Sequence, residues 1–301
     1  MPCSNEPTPA LECQSFNMTS VFERIDQQLA KYKRHKLWKT FFQSGKGSKV
    51  ALATLKAYAP AISYFIMGFR DFNEFVLPYE TPQNALQTAI NEHAKEDCTH
   101  YKLFIEDWEK LGGDKLISAY DALIPGLPLE DHHACITETF ATMRSESAPS
   151  CSTKMLSFLW SDATNRHNRK LFHNCTRLVH TCGEDPAVRF AMIETVEETG
   201  LIVFSATSAL VREITKSTGV ELRYFGNYHL ALETGHLVNQ EEASNCDELN
   251  ELKCGCEGDE TLKNLPLTEL QYNQCIQVVD AVASYFTEWL DGIYNMMIQC
   301  N

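Results

Sequence analysis

"LTELQYNQCIQVVDAVASYFTEWLDGIYNMM", residues 267–297, decides the fold class. Its apolar residues recur with a helical period, and the resulting apolar face is long enough to close a helical bundle. Almost every other long segment reads the same way, while alternating stretches bounded by hairpin turns are scarce. The expectation is an all-α protein built as a single bundle of about seven to eight helices.

The first helix is predicted over 20–45, where "SVFERIDQQLAKYKRHKLWKTFFQSG" opens on a Ser cap and an acidic turn and closes on Gly. A second runs from Lys49 to Leu77, bent near Pro60 and stopped by Pro78. A third starts at Thr81-Pro82 and continues without a break to "LGG" at 111–113. "LIPGLPLEDHH" (123–133) reads as a loop, and a shorter helix leads from it toward Arg144. Further helices are predicted over Ser152–His180 and Pro186–Lys216. Residues 1–18 read as a loosely ordered start, and 19–301 as one helical domain with an acidic surface loop at 245–266.

The chain has 301 residues, enough to bury a sizeable core without staples. With 26 Lys+Arg against 40 Asp+Glu, the formal charge of −14 argues against a nucleic-acid backbone or an anionic membrane as partner. The basic run "KYKRHK" (31–36) is short and reads as a solvated helix end. The first residues lack a basic region followed by an apolar run, and no stretch approaches the ~18 uncharged apolar residues of a membrane span. The expected location is therefore the cytoplasm. The twelve cysteines are irregularly spaced, and Cys98, Cys135 and Cys175 fall inside helical patterns that suit small buried thiols, so reduced thiols are expected. "CGC" at 254–256 has a one-residue spacing that matches neither a CxxC pair nor a four-ligand zinc set.

Three segments carry residues suited to metal chemistry. In "NYHLALETGH" (227–236), His229, Glu233 and His236 stand at i, i+4 and i+7 and share one helical face. A buried Glu on that face is costly unless it is paired or metal-bound. "NEHAKEDCTHYKLFIEDWEKLG" (91–112) places His93, Glu96 and His100 at steps of three, four and seven, with Glu92 beside them. "AMIETVEETGLIVFSAT" (191–207) places Glu194 and Glu198 at i and i+4, where like charges repel unless solvated or sharing a cation, and turns Glu197 outward. Three carboxylates with three imidazoles suit a pair of Fe(II) or Mn(II) ions better than a structural zinc, which more often recruits thiolates. The plain alternative is a set of solvated acids and packed histidines.

"HAKEDCTH…LFIEDWEKLG", the Glu-bearing helix around Glu198, and "ELRYFGNYHLALETGHL" together resemble the haem-oxygenase-like di-iron oxidases and oxygenases, a branch of the superfamily that also holds thiaminase-like enzymes. The resemblance spans roughly residues 82–240 and is most specific in Tyr224-Phe225 followed by His229, an acid at 233 and His236. It implies a haem-oxygenase-like bundle with metal ligands Glu96, His100, Glu198, His229, Glu233 and His236. The family's acid at the position of Glu233 is often Asp, one methylene shorter. A family Glu seven residues before the ligating His would fall on His93, so Glu96 is chosen from the "HxxE…H" arrangement. Glu92 is held in reserve, and His93 is kept as a ligand or as a hydrogen-bond donor to one. The middle carboxylate is Glu198, Glu194 or Glu197 according to helix register.

The resemblance further implies two Fe(II) ions per chain, with Mn as the alternative metal. O2, an electron donor and a small amino-acid-, amine- or fatty-acid-like substrate would be the partners, with oxidation through a peroxo-type species. A homodimer is compatible with it. Arg189, Arg212 and Arg223 are candidate partners for a substrate carboxylate. Two other functions stand beside this one: a thiaminase-like hydrolase with Cys98 or Cys135 as nucleophile, and a non-catalytic helical binding or effector protein.

Overall fold

The computed structural model describes residues 16–112, 166–233, 262 and 264–300, and they form an all-α bundle. Its helices are α1 (Met18–Tyr32), α2 (Lys36–Phe41), α3 (Ser48–Asp71), α4 (Ala85–Asp97), α5 (Tyr101–Leu111), α6 (Arg166–Cys182), α7 (Pro186–Thr218), α8 (Asn227–Glu233) and α9 (Glu269–Cys300). A π-helical turn, Phe72–Val76, continues α3, and its wider pitch shows in the Leu77 N–H to Phe72 carbonyl bond of 2.9 Å. No strand occurs among the described residues, where the one β-bridge joins Asn17 to Pro266.

Helix ends follow local chemistry. Asn17 accepts from the Ser20 N–H at 3.1 Å and caps α1, whose buried stripe Met18, Val21, Ile25, Leu29 and Tyr32 repeats at steps of three and four. Asn84 caps α4 by accepting from Gln87 N–H at 2.9 Å. α7 opens with Asp185 as cap and Pro186 in the first turn, and it ends at Gly219 in the left-handed region, φ 69°.

Three predicted boundaries shift. The helix expected over 20–45 is two helices, with the His35 ring accepting from Leu37 N–H at 3.2 Å to start α2. The helix expected over 81–111 starts only at Ala85 and is interrupted by a turn at Cys98–His100. Residues 16–18 belong to the ordered body: Met18 N–H donates to Leu265 at 3.0 Å and Leu267 N–H to Phe16 at 2.9 Å. The predicted loop at 123–133, the helix toward Arg144 and residues 152–165 lie outside the described residues.

α7 packs against α9, α3 and α1, and α9 also packs against α1 and α6. α3 lies between them, with Leu55, Tyr58, Ala59 and Ile62 buried. Ser48–Val76 is long and apolar enough by length and composition to cross a membrane, although Lys49, Lys56, Arg70, Asp71 and Glu74 interrupt it, and 59% of its apolar window is buried in the bundle. Pro60 sits inside α3, and the carbonyl of Pro60 accepts from the Ser63 hydroxyl at 2.9 Å. Among the described cysteines, Cys98, Cys175, Cys182 and Cys275 carry free thiols.

Candidate metal centre

The buried stripe of α4 runs Leu86, Ile90 and Ala94, and the next helical step falls on Asp97. His93 lies beside that stripe and points with it. α4 ends at Asp97, and the chain turns through Cys98–His100, with Thr99 N–H on Glu96 O and His100 N–H on Asp97 O, both at 3.1 Å. The turn re-aims His100 relative to an unbroken helix. Asp97 therefore shares the inward side with His100, while Glu96 and Glu92 are exposed.

His229 and Glu233 arrive from α8, one helical turn apart. The approach to α8 is held by α5: the fully buried Asp107 accepts from Arg223 N–H at 2.8 Å and from Phe225 N–H at 3.1 Å. Burial pushes Asp107 up to about 6, against the lowering effect of those backbone donors. Gly226 lies on the same approach, and a Cβ there would stand 2.3 Å from the Leu222 carbonyl oxygen. The His229 ring is walled by Phe204 and Tyr224, with ring centroids 4.0 and 4.6 Å away.

His100, His229 and Glu233 form one group. His229 Nε2 lies 2.7 Å from Glu233 Oε1 and 3.2 Å from His100 Nδ1, and His100 Nδ1 lies 3.1 Å from the same carboxylate oxygen. On its other side, His229 Nδ1 is 3.1 Å from the Tyr224 carbonyl oxygen, a contact that only a ring N–H satisfies. Burial holds His229 below its ordinary value, outweighing the pull of Glu233, so the imidazole is neutral and Nε2 presents a lone pair. Burial alone would raise Glu233, but His100 and His229 hold it well below the usual carboxylate range. The His100 ring meets the same two atoms at 3.1 and 3.2 Å, so three donor atoms of the group converge on one point. Donor separations near 3 Å are also the edges of a coordination shell with bonds of about 2.0–2.2 Å. The residues fit a metal ion.

His93, Asp97 and Glu197 form a second group. His93 Nε2 is 3.2 Å from Asp97 Oδ2 and 3.4 Å from Glu197 Oε1. The other Asp97 oxygen is 3.6 Å from His100 Nδ1, so this carboxylate reaches toward both groups. Each group's ligand atoms lie within 4.8 Å of one another. Burial raises Glu197 well above the ordinary carboxyl value, and the negative charges of Asp97 and Glu233 push it the same way. Against burial, Asp97 and Glu197 raise His93.

A cavity of about 70 Å³ adjoins both groups and is lined by Asp97, His100, Glu197, His229 and Glu233 on one side. Ile62, Phe65, Phe69, Phe204, Phe286 and Trp289 supply much of the remaining wall, together with Tyr58. Water-poor surroundings of this kind strengthen the field of a bound ion. A second, very small cavity of about 10 Å³ lies behind His93 and Glu197, against Asn73 of the π-helical turn.

The structure thus brings together His100, His229 and Glu233 of the six residues chosen from sequence. Glu96 is exposed and lies in neither group; Glu198 is half-buried and also lies in neither. His236 lies outside the described residues. Of the reserves, His93 and Glu197 enter the second group, Glu92 faces solvent and Glu194 is buried outside both. The outward placement of Glu197 is corrected: it is 8% exposed. Asp97 was not among the candidates, although the stripe Leu86–Ile90–Ala94 points to it. Cys98 donates to the Lys95 carbonyl at 3.1 Å, and burial raises its thiol, which disfavours the thiolate a nucleophile needs. Cys135 lies outside the described residues. No family model matches this chain, and no curated protein matches it in sequence.

Proposed function

We propose that this protein is a non-haem di-metal oxidase or oxygenase that uses O2 and an electron donor to oxidise a small substrate, in a haem-oxygenase-like bundle. His100, His229 and Glu233 would hold one ion, and His93, Asp97 and Glu197 the other. The observation that carries the reading is the contact of His229 Nε2 with Glu233 Oε1 at 2.7 Å, beside a second acid–imidazole group on the same cavity. Fe(II) is the favoured metal and Mn(II) the alternative, because oxygen-rich sites with imidazole and no thiolate suit these ions. Bound iron would supply the electrons and the coordination position for O2 activation.

The chain's own part is ligation, proton handling and exclusion of water. Three carboxylates offset three of the four charges of two divalent ions. The Tyr224 carbonyl fixes the His229 tautomer so that Nε2 faces the ion. Glu197 and His93, both shifted toward their protonated forms, would release protons when metal enters. The apolar wall would hold a substrate bond against the centre and keep side reactions with water low.

Metal content per chain after anaerobic Fe(II) loading, followed by O2 uptake and visible absorption, tests the proposal. About two irons with O2-dependent spectral change is the expected result. No bound iron in a chain whose helical circular dichroism is intact would overturn it.

A further inference from the structure

We propose that the exposed face of α6, with the groove between α6 and α9, docks an acidic one-electron carrier protein that serves as the electron donor; the donor role rests on the enzyme reading above, the docking does not. The 17 residues of α6, "RHNRKLFHNCTRLVHTC", hold Arg166, Arg169, Lys170 and Arg177 with His167, His173 and His180, and no Asp or Glu. The buried stripe Asn168, Leu171, Cys175 and Val179 faces the bundle. Arg166, Lys170, His173, Arg177 and His180 are exposed at steps of four, three, four and three. They therefore form one line on the opposite side of the helix, about 20 Å long at the rise of an α-helix. Lys170 pairs with Glu288 of α9, whereas neither Arg166 nor Arg177 has an acidic partner among the described residues.

The formal charge of −14 narrows the partner. A long polyanion or an anionic bilayer would meet acidic surface as well as this line, whereas a compact protein with one acidic patch meets the line alone and is turned toward it on approach. The other basic run, residues 31–36, is answered by acids of α9: Lys36 Nζ lies 3.1 Å from Asp291, and Lys31 acts on Asp280. Trp289 links the α6 face to the candidate metal centre. The groove beside that face, about 470 Å³, is lined by Arg166, Lys170, Tyr285 and Trp289 among others, and Trp289 also belongs to the wall of the inner cavity. Its Nε1 donates to Asn168 of α6 at 2.7 Å, and its ring packs against Phe65 and Phe286 of the inner wall, with centroids 5.1 and 5.8 Å away. One buried side chain thus stands in both walls. In each transfer the carrier would lose one electron and an ion held beside the cavity would gain it, with no bond made or broken and the indole unchanged.

A plant-type [2Fe–2S] ferredoxin, an acidic one-electron carrier, is the probe, and cytochrome c, a basic carrier, is the control. Dissociation constants are measured on the full chain, metal-stripped and iron-loaded, at low and at high salt. Ferredoxin is expected to bind, roughly tenfold more weakly at high salt, and cytochrome c to bind more weakly than ferredoxin at low salt. Combining Arg166→Glu, Lys170→Glu and Arg177→Glu should weaken ferredoxin about tenfold or more and slow its oxidation by the iron-loaded chain by a similar factor. Combining Lys33→Glu, Arg34→Glu and Lys39→Glu, also exposed, changes the net charge equally and should leave both unchanged. The inference is overturned if ferredoxin does not bind, if both triple variants lose it equally, or if cytochrome c, a short DNA duplex or phosphatidylserine vesicles bind more tightly. Docking without electron transfer to an iron-loaded chain would overturn the donor role. Docking through the α6 cations on a chain that takes up no iron would count against the di-metal reading alone.

Discussion

Asp97 Oδ1 lies 3.6 Å from His100 Nδ1 across the turn that ends α4, while Oδ2 of the same carboxylate is 3.2 Å from His93. One side chain therefore links both ligand groups. Asp97→Asn should weaken metal binding at both, by about 10- to 100-fold on the scale typical of ligand and ligand-orienting changes. Glu96→Gln, one position earlier and exposed, should leave loading unchanged. Metal stoichiometry and affinity of the two variants, measured side by side, check this; equal losses would remove Asp97 from the centre.

His229→Ala and Glu233→Ala should each lower metal occupancy with the bundle intact by circular dichroism. Glu233→Ala also removes the 3.1 Å partner of His100, so its metal-free form should be less stable than the parent at neutral pH. Unchanged occupancy in both would defeat the assignment of the first group.

The metal-free protein should show a pH-dependent stability from His100. Burial lowers this imidazole, but the Glu233 hydrogen bond and charge, with Asp97, raise it to about 9 from its ordinary 6.5. A group raised on folding contributes its full stability below the unfolded value. That contribution declines from about pH 6.5 and is lost as pH passes about 9, with an upper size of about 3 kcal/mol. Urea midpoints of stripped protein at intervals across this window should fall, and the fall should be smaller in His100→Gln. A parallel decline in both proteins would refute the assignment to His100.

Asp107 holds the approach to α8 without touching either ligand group. Asp107→Asn keeps one acceptor oxygen for two backbone donors, Arg223 N–H and Phe225 N–H, and should cost about 1–3 kcal/mol. Gly226→Ala drives a Cβ against the Leu222 carbonyl and should displace the start of α8. Both variants should weaken metal binding through His229 while leaving the α3–α7–α9 packing in place. Hydrogen exchange over residues 219–233 compared with α9 distinguishes this local loosening from global unfolding.

Sequence alone determined that the chain is helical, because a 3.6-residue period in segments such as 267–297 leaves an apolar face that only another helix can cover. It also placed His100, His229 and Glu233 among the candidates, since i to i+4 spacing within α8 needs no tertiary information. The structure departs from the spacing and the "HxxE…H" arrangement where the helix itself ends. Treating 81–111 as continuous put Glu96 with His100, whereas the turn at Cys98–His100 brings Asp97 inward. On α7, Glu194, Glu197 and Glu198 lie within five positions of one another, and local pattern cannot rank them. Packing decides, because the side of α7 that meets His93 and Asp97 carries Glu197. The meeting of α4, α7 and α8 around one cavity is likewise a tertiary fact: residues 97, 197 and 233 share no local period, and only the fold brings them together.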